Sequence, residues 1–372
     1  MPNSSQLSKP KVLILHAYSP TNSGDGLLVK LALEAIERAI GPFDFDVIAS
    51  DADGFADDRY VQWALPASLS KGVGRRPAML VASAFPRHTR AATLARSADL
   101  IVAVGGAYLR GGSRLESLKS WGAHFGQLKI AATNGEKAVY LPQSIGPYTG
   151  RYQRATRRLL GQISSVMVRD DKTEAELKPY ASVVRLPDMA IIEWARGFSG
   201  PAPLTDLKPV FVARDLDEPR GYYKFLEDVA ASGQFEWAVQ ATGSANNDYP
   251  VTERYSSSKP RRLADVLAEA QPRVVVSTRL HGSLSSLIAG YPTVHLTYER
   301  KGWSAFKDLG LERYVMSARD AKLAEVGERV AEITTDPASY WARVAQSVPR
   351  ILESSDRLES AVRSAFQPRG AE

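Results

Sequence analysis

The chain contains no cysteine at all, which excludes disulfides and thiolate metal sites and suits a cytosolic enzyme. Histidine is scarce, at five in 372 residues, and shows neither HExxH nor paired-carboxylate spacing, so no metal is expected. No run of about eighteen apolar residues occurs, so no transmembrane helix is expected. The opening MPNSSQLSKP lacks an apolar core and reads as a polar tail, not a signal peptide. Acidic residues fall short of basic ones, 41 against 47, a net charge of +6. That excess fits a solvated surface, an anionic ligand, or an acceptor on an acidic membrane surface. The basic residues are spread along the chain without a recognition-helix or aromatic-platform pattern, which argues against nucleic acid.

What is present is a soluble composition, 44% hydrophobic and 24% charged, long enough for two domains. The first half repeats a strand–helix unit. KVLILHA (11–17), FDVIAS (45–50), DLIVAVGG (99–106), KAVYLPQ (137–143), SVMVRD (165–170) and SVVRLP (182–187) are near-continuous apolar runs, as in parallel strands buried on both faces. Asp25 to Ile40 reads as an amphipathic helix stopped by Gly41-Pro42. A Gly/Pro-rich stretch without period follows, and a second series begins: PVFVARD (209–215), EWAVQATG (236–243), RVVVSTR (273–279), PTVHLTY (292–298) and RYVMSA (313–318). The tail from Ala321 to Phe366 reads as helix, broken near Thr335–Pro337 and again at Pro349. The expected fold is α/β, with two Rossmann-like doubly wound domains, GT-B-like, and a helical C-terminal tail. The domains are expected at 1–195, on the acceptor side, and 209–372, with the donor site and the tail, joined by a linker at 196–208.

Ligands of such sheets sit beyond the carboxyl ends of the strands. One such end carries VVVSTRLHGSLSSLIAGYP (274–292), where Arg279 and His281 lie two residues apart before a helix read as starting at Ser283. A guanidinium matches phosphate or carboxylate with two hydrogen bonds, a helix N-terminus favours an anion, and histidine exchanges a proton near neutrality. The bland alternative is an arginine paired with an aspartate and a histidine capping a loop. Arg214 in VARD, and Tyr298, Glu299 and Lys301 in HLTYERKG, end two other strands and bring the cations at this edge to three.

In the first half, SPTNSGDGLL (19–28) contains neither a Walker loop nor a dinucleotide fingerprint. Asn22, Gly24 and Asp25 there suit sugar or amide contacts, or a plain helix cap. GGAYLRGG (105–112) and PQSIGP (142–147) place Gly105, Gly106 and Gln143 in loops after buried strands, where a backbone can approach a ligand. MVRDDKTEAEL (167–177) reads as a capped helix start, with Asp170 or Asp171 at the cap and Glu174 for a capping box.

Taken in order, NSGDGLL, GGAYL, QSIGP, VRD, RLHGSLSSLIAGYP and YERK resemble the polysaccharide pyruvyl transferase family, from about Lys11 to Tyr314. The resemblance implies a GT-B enzyme that moves pyruvate from phosphoenolpyruvate onto a sugar as a cyclic ketal, without cofactor or metal. It implies His281 as general acid and Arg279 as a donor ligand, with Arg214 as a second arginine and Lys301 as a substrate lysine. It further implies a glycan or lipid-linked saccharide acceptor and a cytoplasmic place at the inner membrane face. Two positions depart from the family pattern: Gly105-Gly106-Ala107 replaces a glycine triplet, and Pro187-Asp188 replaces an Asp-Pro. The alternatives are a GT-B glycosyltransferase using a nucleotide sugar, and a non-catalytic binding protein that keeps the fold.

Overall fold

The computed structural model describes residues 9–19, 23–55, 57–62, 81–113, 117–118, 120–148, 150–198, 200, 203–242 and 247–368, without the side chains of Ser23 and Asp25. By contacts the chain divides into two compact units. One comprises Met1–Pro20, Asp25–Met189 and Asp356–Glu372; the other comprises Thr21–Gly24 and Ala190–Ser355.

The first unit carries a seven-stranded sheet in the order β3-β2-β1-β4-β5-β6-β7. Its strands are β1 (Lys11–Ala17), β2 (Asp44–Ala49), β3 (Tyr60–Gln62), β4 (Leu100–Ala103), β5 (Ala138–Gln143), β6 (Ser165–Val168) and β7 (Val183–Arg185). Every pairing is parallel. Nothing but apolar side chains fills Val12–Leu15 and Leu100–Ala103, all of them buried, as central strands covered on both faces require. The chain order reverses between β1 and β4, the switch point of a doubly wound sheet.

The second unit carries six strands in the order β10-β9-β8-β11-β12-β13. These are β8 (Val210–Val212), β9 (Glu236–Val239), β10 (Arg261–Arg262), β11 (Val275–Ser277), β12 (Thr293–Thr297) and β13 (Val315–Ser317), again all parallel. Its switch point lies between β8 and β11, where Val275–Ser277 pair in register with Val210–Val212. The Rossmann-like reading of both halves therefore holds. The edge strands β3 and β10 escape the sequence reading because three and two residues carry no periodicity.

The tail is helical at Leu323–Thr335 and Pro337–Ala365, interrupted at Asp336. The expected second break at Pro349 does not occur, and the helix runs through it. Pro349 and Ala345, whose carbonyl loses its helical partner, are both exposed, so water can take that bond and the local cost is tolerated. Among the described residues no helix is long and apolar enough to cross a membrane.

Candidate functional site

In the second unit, the carboxyl edge of the sheet gathers the sequence-selected residues. Arg214 follows β8 and Arg279 follows β11, so the two arginines flank the switch point. The helix after β11 runs Leu280–Ile288, three residues earlier than the sequence reading, with Arg279 at its N-cap. His281 therefore sits inside the first turn, where the dipole's positive end lies, and not in a loop before it. The reason is Ser277. Its hydroxyl donates to Arg279 O at 2.9 Å and accepts Arg279 N–H at 3.1 Å, folding the strand directly into a helical turn.

Each of these cations has a local partner. Arg214 donates to the Tyr298 hydroxyl, with its guanidinium carbon 4.9 Å from the centre of that ring. Lys301 meets Glu299 at 2.9 Å. Arg279 pairs with Asp248, a residue that the sequence reading did not single out. Tyr222 braces the edge from below: its hydroxyl accepts Arg214 N–H at 3.3 Å and lies 2.9 Å from Thr278 Oγ1. Burial pushes the Tyr222 phenol well up, so it stays neutral.

His295 on β12 forms the floor beneath this edge. Its Nδ1 is 2.9 Å from Ser277 O and 3.1 Å from Ser283 Oγ, and its ring stacks on Phe306. Burial drives its pKa down to about 3, with Lys301 adding to the shift and the Ser277 bond opposing it. The neutral ring thus carries its proton on Nδ1, donated to the Ser277 carbonyl. Gly302 packs so closely that a Cβ there would stand 2.5 Å from His295 Nε2.

Thr21–Gly24 belong to this same unit. An added Cβ at Gly24 would come within 2.6 Å of His281 Nδ1, so the missing side chain makes room for the imidazole. Gly24 thus joins His281. Asn22 lies outside the described residues, as does the side chain of Asp25.

The first unit gathers its own set at its own switch point. Gly106, with φ at 141°, bridges to Gln143, and Ser144 N–H donates to Gly106 O at 2.9 Å. A Cβ on Gly105 would meet Pro142 O at 2.7 Å, which is why the paired glycines are needed where these loops cross. Gln143 is fully buried beside Tyr108, whose hydroxyl donates to Val104 O at 2.9 Å.

Next to them stands a cluster that the sequence reading passed over. His16, at the kinked end of β1, adopts φ 67° and stacks on Tyr108 at 4.4 Å. Its Nε2 lies 2.9 Å from the Tyr140 hydroxyl, its Nδ1 3.3 Å from His124 Nδ1, and its N–H donates to Gln127 Oε1 at 2.8 Å. Burial holds His124 at about 4 and His16 well below the ordinary range, so both rings are neutral. His124 rides on a π-helical turn, Trp121–Phe125, a feature frequent at functional sites. A histidine at the end of an otherwise apolar strand was the available signal.

The VRD motif is structural. Asp170 caps the helix Asp171–Leu177 through Thr173 N–H at 2.9 Å, and Thr173, not Glu174, returns a side-chain bond to Asp170. Arg169 pairs with Asp188, both nearly inaccessible, which explains the aspartate of Pro187-Asp188.

Two doubly wound parallel sheets, each with its polar residues at the switch point, define the two-domain GT-B class. Solved structures share this fold along nearly the whole chain. A trehalose-6-phosphate synthase (OtsA) matches with TM-score 0.56 at 11% identity, covering 95% of this chain and 99% of that one. The UDP-GlcNAc 2-epimerase of Neisseria meningitidis matches with TM-score 0.54 at 11% identity over 95% and 99%. A UDP-glucosyltransferase of Polygonum tinctorium matches with TM-score 0.53 at 12% identity over 97% and 99%. No curated protein matches. The family model of polysaccharide pyruvyl transferases matches residues 22–300, and the chain belongs to that family. It is a transferase of polysaccharide pyruvylation.

Proposed function

We propose that the protein transfers the pyruvyl group of phosphoenolpyruvate to a saccharide, forming a cyclic ketal, with His281 as general acid. The observation that carries this reading is the pair Arg214 and Arg279 following the two strands of the second sheet's switch point, with His281 in the first helical turn after Arg279 and against Gly24. A small anion bearing phosphate and carboxylate calls for two guanidiniums and a helix N-terminus.

In the proposed sequence, His281 gives a proton to the methylene carbon, and the carbon bearing the phosphate oxygen becomes oxocarbenium-like. A sugar hydroxyl attacks that carbon, and its proton returns to His281. The carbon–oxygen bond to phosphate then breaks, a second hydroxyl of the same sugar closes the ring, and its proton leaves with phosphate. A positioned general acid contributes about 10²–10⁴ in rate. Tyr298 would steady Arg214, and Lys301, paired with Glu299, would meet the substrate. The first unit's switch point, with Gly105, Gly106 and Gln143, would take the acceptor glycan, free or lipid-linked, the enzyme working in the cytoplasm at the inner membrane face.

The test is phosphate release from phosphoenolpyruvate across a panel of glycan acceptors, with wild type and His281→Gln. Release that depends on acceptor and falls at least about a hundredfold in the variant is expected. Undiminished release by His281→Gln would remove the histidine from the mechanism. Stabilisation by uridine diphosphate sugars, with none by phosphoenolpyruvate, would favour nucleotide-sugar transfer instead.

A further inference from the structure

Basic residues that are scattered in the sequence are gathered by the fold onto one helical layer of the first unit. From β3 through β4, β5 and β6 to β7 the chain crosses the sheet in one direction, and right-handed connections place the intervening helices on one face. These helices are Arg90–Ser97, Gly126–Thr133, Gly150–Leu160 and Asp171–Leu177. Ala91, Ala95, Leu128, Ala131, Leu160 and Leu177, drawn from all four, share one buried cluster with Ile101 and Val166 of the sheet. Their outer sides therefore form one surface.

No acidic residue occurs in 81–98, 120–134 or 150–162. The first two stretches carry Arg87, Arg90, Arg96 and Lys129, and the third carries Arg151, Arg154, Arg157 and Arg158. These eight cations exceed the whole chain's net charge of +6, so the remainder of the chain is net acidic. Among the described residues none of the eight forms an ion pair. Arg151, Arg154 and Arg158 are exposed at the spacing of one helix face, while Thr156 and Leu160 are buried on the other. On the fourth helix Asp171 is paired with Arg185 and Glu176 with Lys172.

Apolar side chains stand out beside these cations. Val81 is 62% exposed and Phe85 59%, two residues before Arg87. Lys129 Nζ donates to Ala84 O at 3.2 Å and Ser83 Oγ to Trp121 O at 2.8 Å, which fixes this stretch to the layer. Trp121 in turn meets Tyr152 of the arginine helix edge-on at 5.0 Å. Tyr180 is 49% exposed, and the Arg157 guanidinium carbon lies 4.5 Å from the centre of its ring.

We propose that this layer is the surface by which the protein docks on a bilayer containing anionic lipid. A soluble polyanion would call for the cations alone. A bilayer also takes up Val81 and Phe85 beneath its headgroups and favours a tyrosine at its interface. The surface serves the membrane location proposed above, but it rests on charge and exposure and on no step of the transfer.

Vesicle sedimentation tests this with the full chain, on phosphatidylcholine vesicles with and without about one-third phosphatidylglycerol. Wild type is expected to bind the anionic vesicles only, and less tightly as salt is raised. Arg151→Gln, Arg154→Gln and Arg158→Gln together should weaken binding about a hundredfold, about fivefold for each cation. Phe85→Ser should weaken it about tenfold. Equal binding to neutral vesicles, or full binding by the triple variant, would overturn the proposal. So would unchanged binding by Phe85→Ser, which would make the layer a site for a soluble polyanion. The substituted side chains are exposed, so the melting temperature should hold, as should phosphate release with a water-soluble acceptor. A parallel loss of that release would place the arginines in the reaction and overturn the docking role. Vesicle binding by a protein that releases no phosphate from phosphoenolpyruvate would keep the surface and sink the transfer reading.

Discussion

Acid should weaken the second unit through His295 before any surface group matters. In the folded protein this ring is neutral with a pKa of about 3, because burial and Lys301 oppose its charging. In the unfolded chain it titrates at about 6.5. A depressed folded pKa means that the stabilisation is complete above about pH 6.5 and is lost as pH falls from there toward about 3. Across that window the unfolded chain binds one proton more, so stability falls by about 1.4 kcal/mol per pH unit, or about 2 kcal/mol by pH 5. Against a total of about 5–15 kcal/mol that loss is large. The assay is urea unfolding at several pH values, comparing wild type with His295→Asn, whose amide can still donate to Ser277 O in place of Nδ1–H. The variant loses the Phe306 stack and should be weaker at neutral pH, but its stability should fall less steeply with acid, by about one proton. Identical slopes in the two proteins would refute the assignment of a buried, neutral His295.

Two further outcomes follow from contacts already described. Asp188→Asn strands the Arg169 guanidinium at 3% exposure and should cost about 3–5 kcal/mol in urea unfolding, partly restored by Arg169→Met with Asp188→Leu; a loss under about 1 kcal/mol would contradict a buried ion pair. Gly24→Ala would bring a methyl within 2.6 Å of His281 Nδ1 and displace the ring, so transfer should fall about a hundredfold, and full activity would show that the ring does not need that space.

Much of the fold was legible because parallel strands covered on both faces must be apolar throughout. Val12–Leu15 and Val274–Val276 announce themselves in this way, and the helices between them leave only a doubly wound sheet. The pairing order, and hence the switch point, is a tertiary fact that no local pattern encodes, yet it singles out Arg214 and Arg279 among the many basic residues. Boundaries failed where a side chain overrode propensity: Ser277 drew the helix start forward to Leu280, and solvent exposure carried a helix through Pro349.

The residues missed share one physical character: their chemistry is created by burial. Asp248 in isolation is an ordinary loop aspartate, and only the fold removes its water and gives it Arg279 and Ala241 N–H. His16 and His124 lie far apart in sequence and become a neutral pair only because β1 kinks at its end and a π-helical turn lifts the second ring to meet the first. The charge of an arginine is readable from a motif, since a guanidinium is charged in any setting. Orientation of that arginine, and suppression of charge on a histidine, are properties of the surroundings. The arginine and histidine proposed to act together could therefore be named from RLHG, while the carboxylate paired with that arginine waited for the structure.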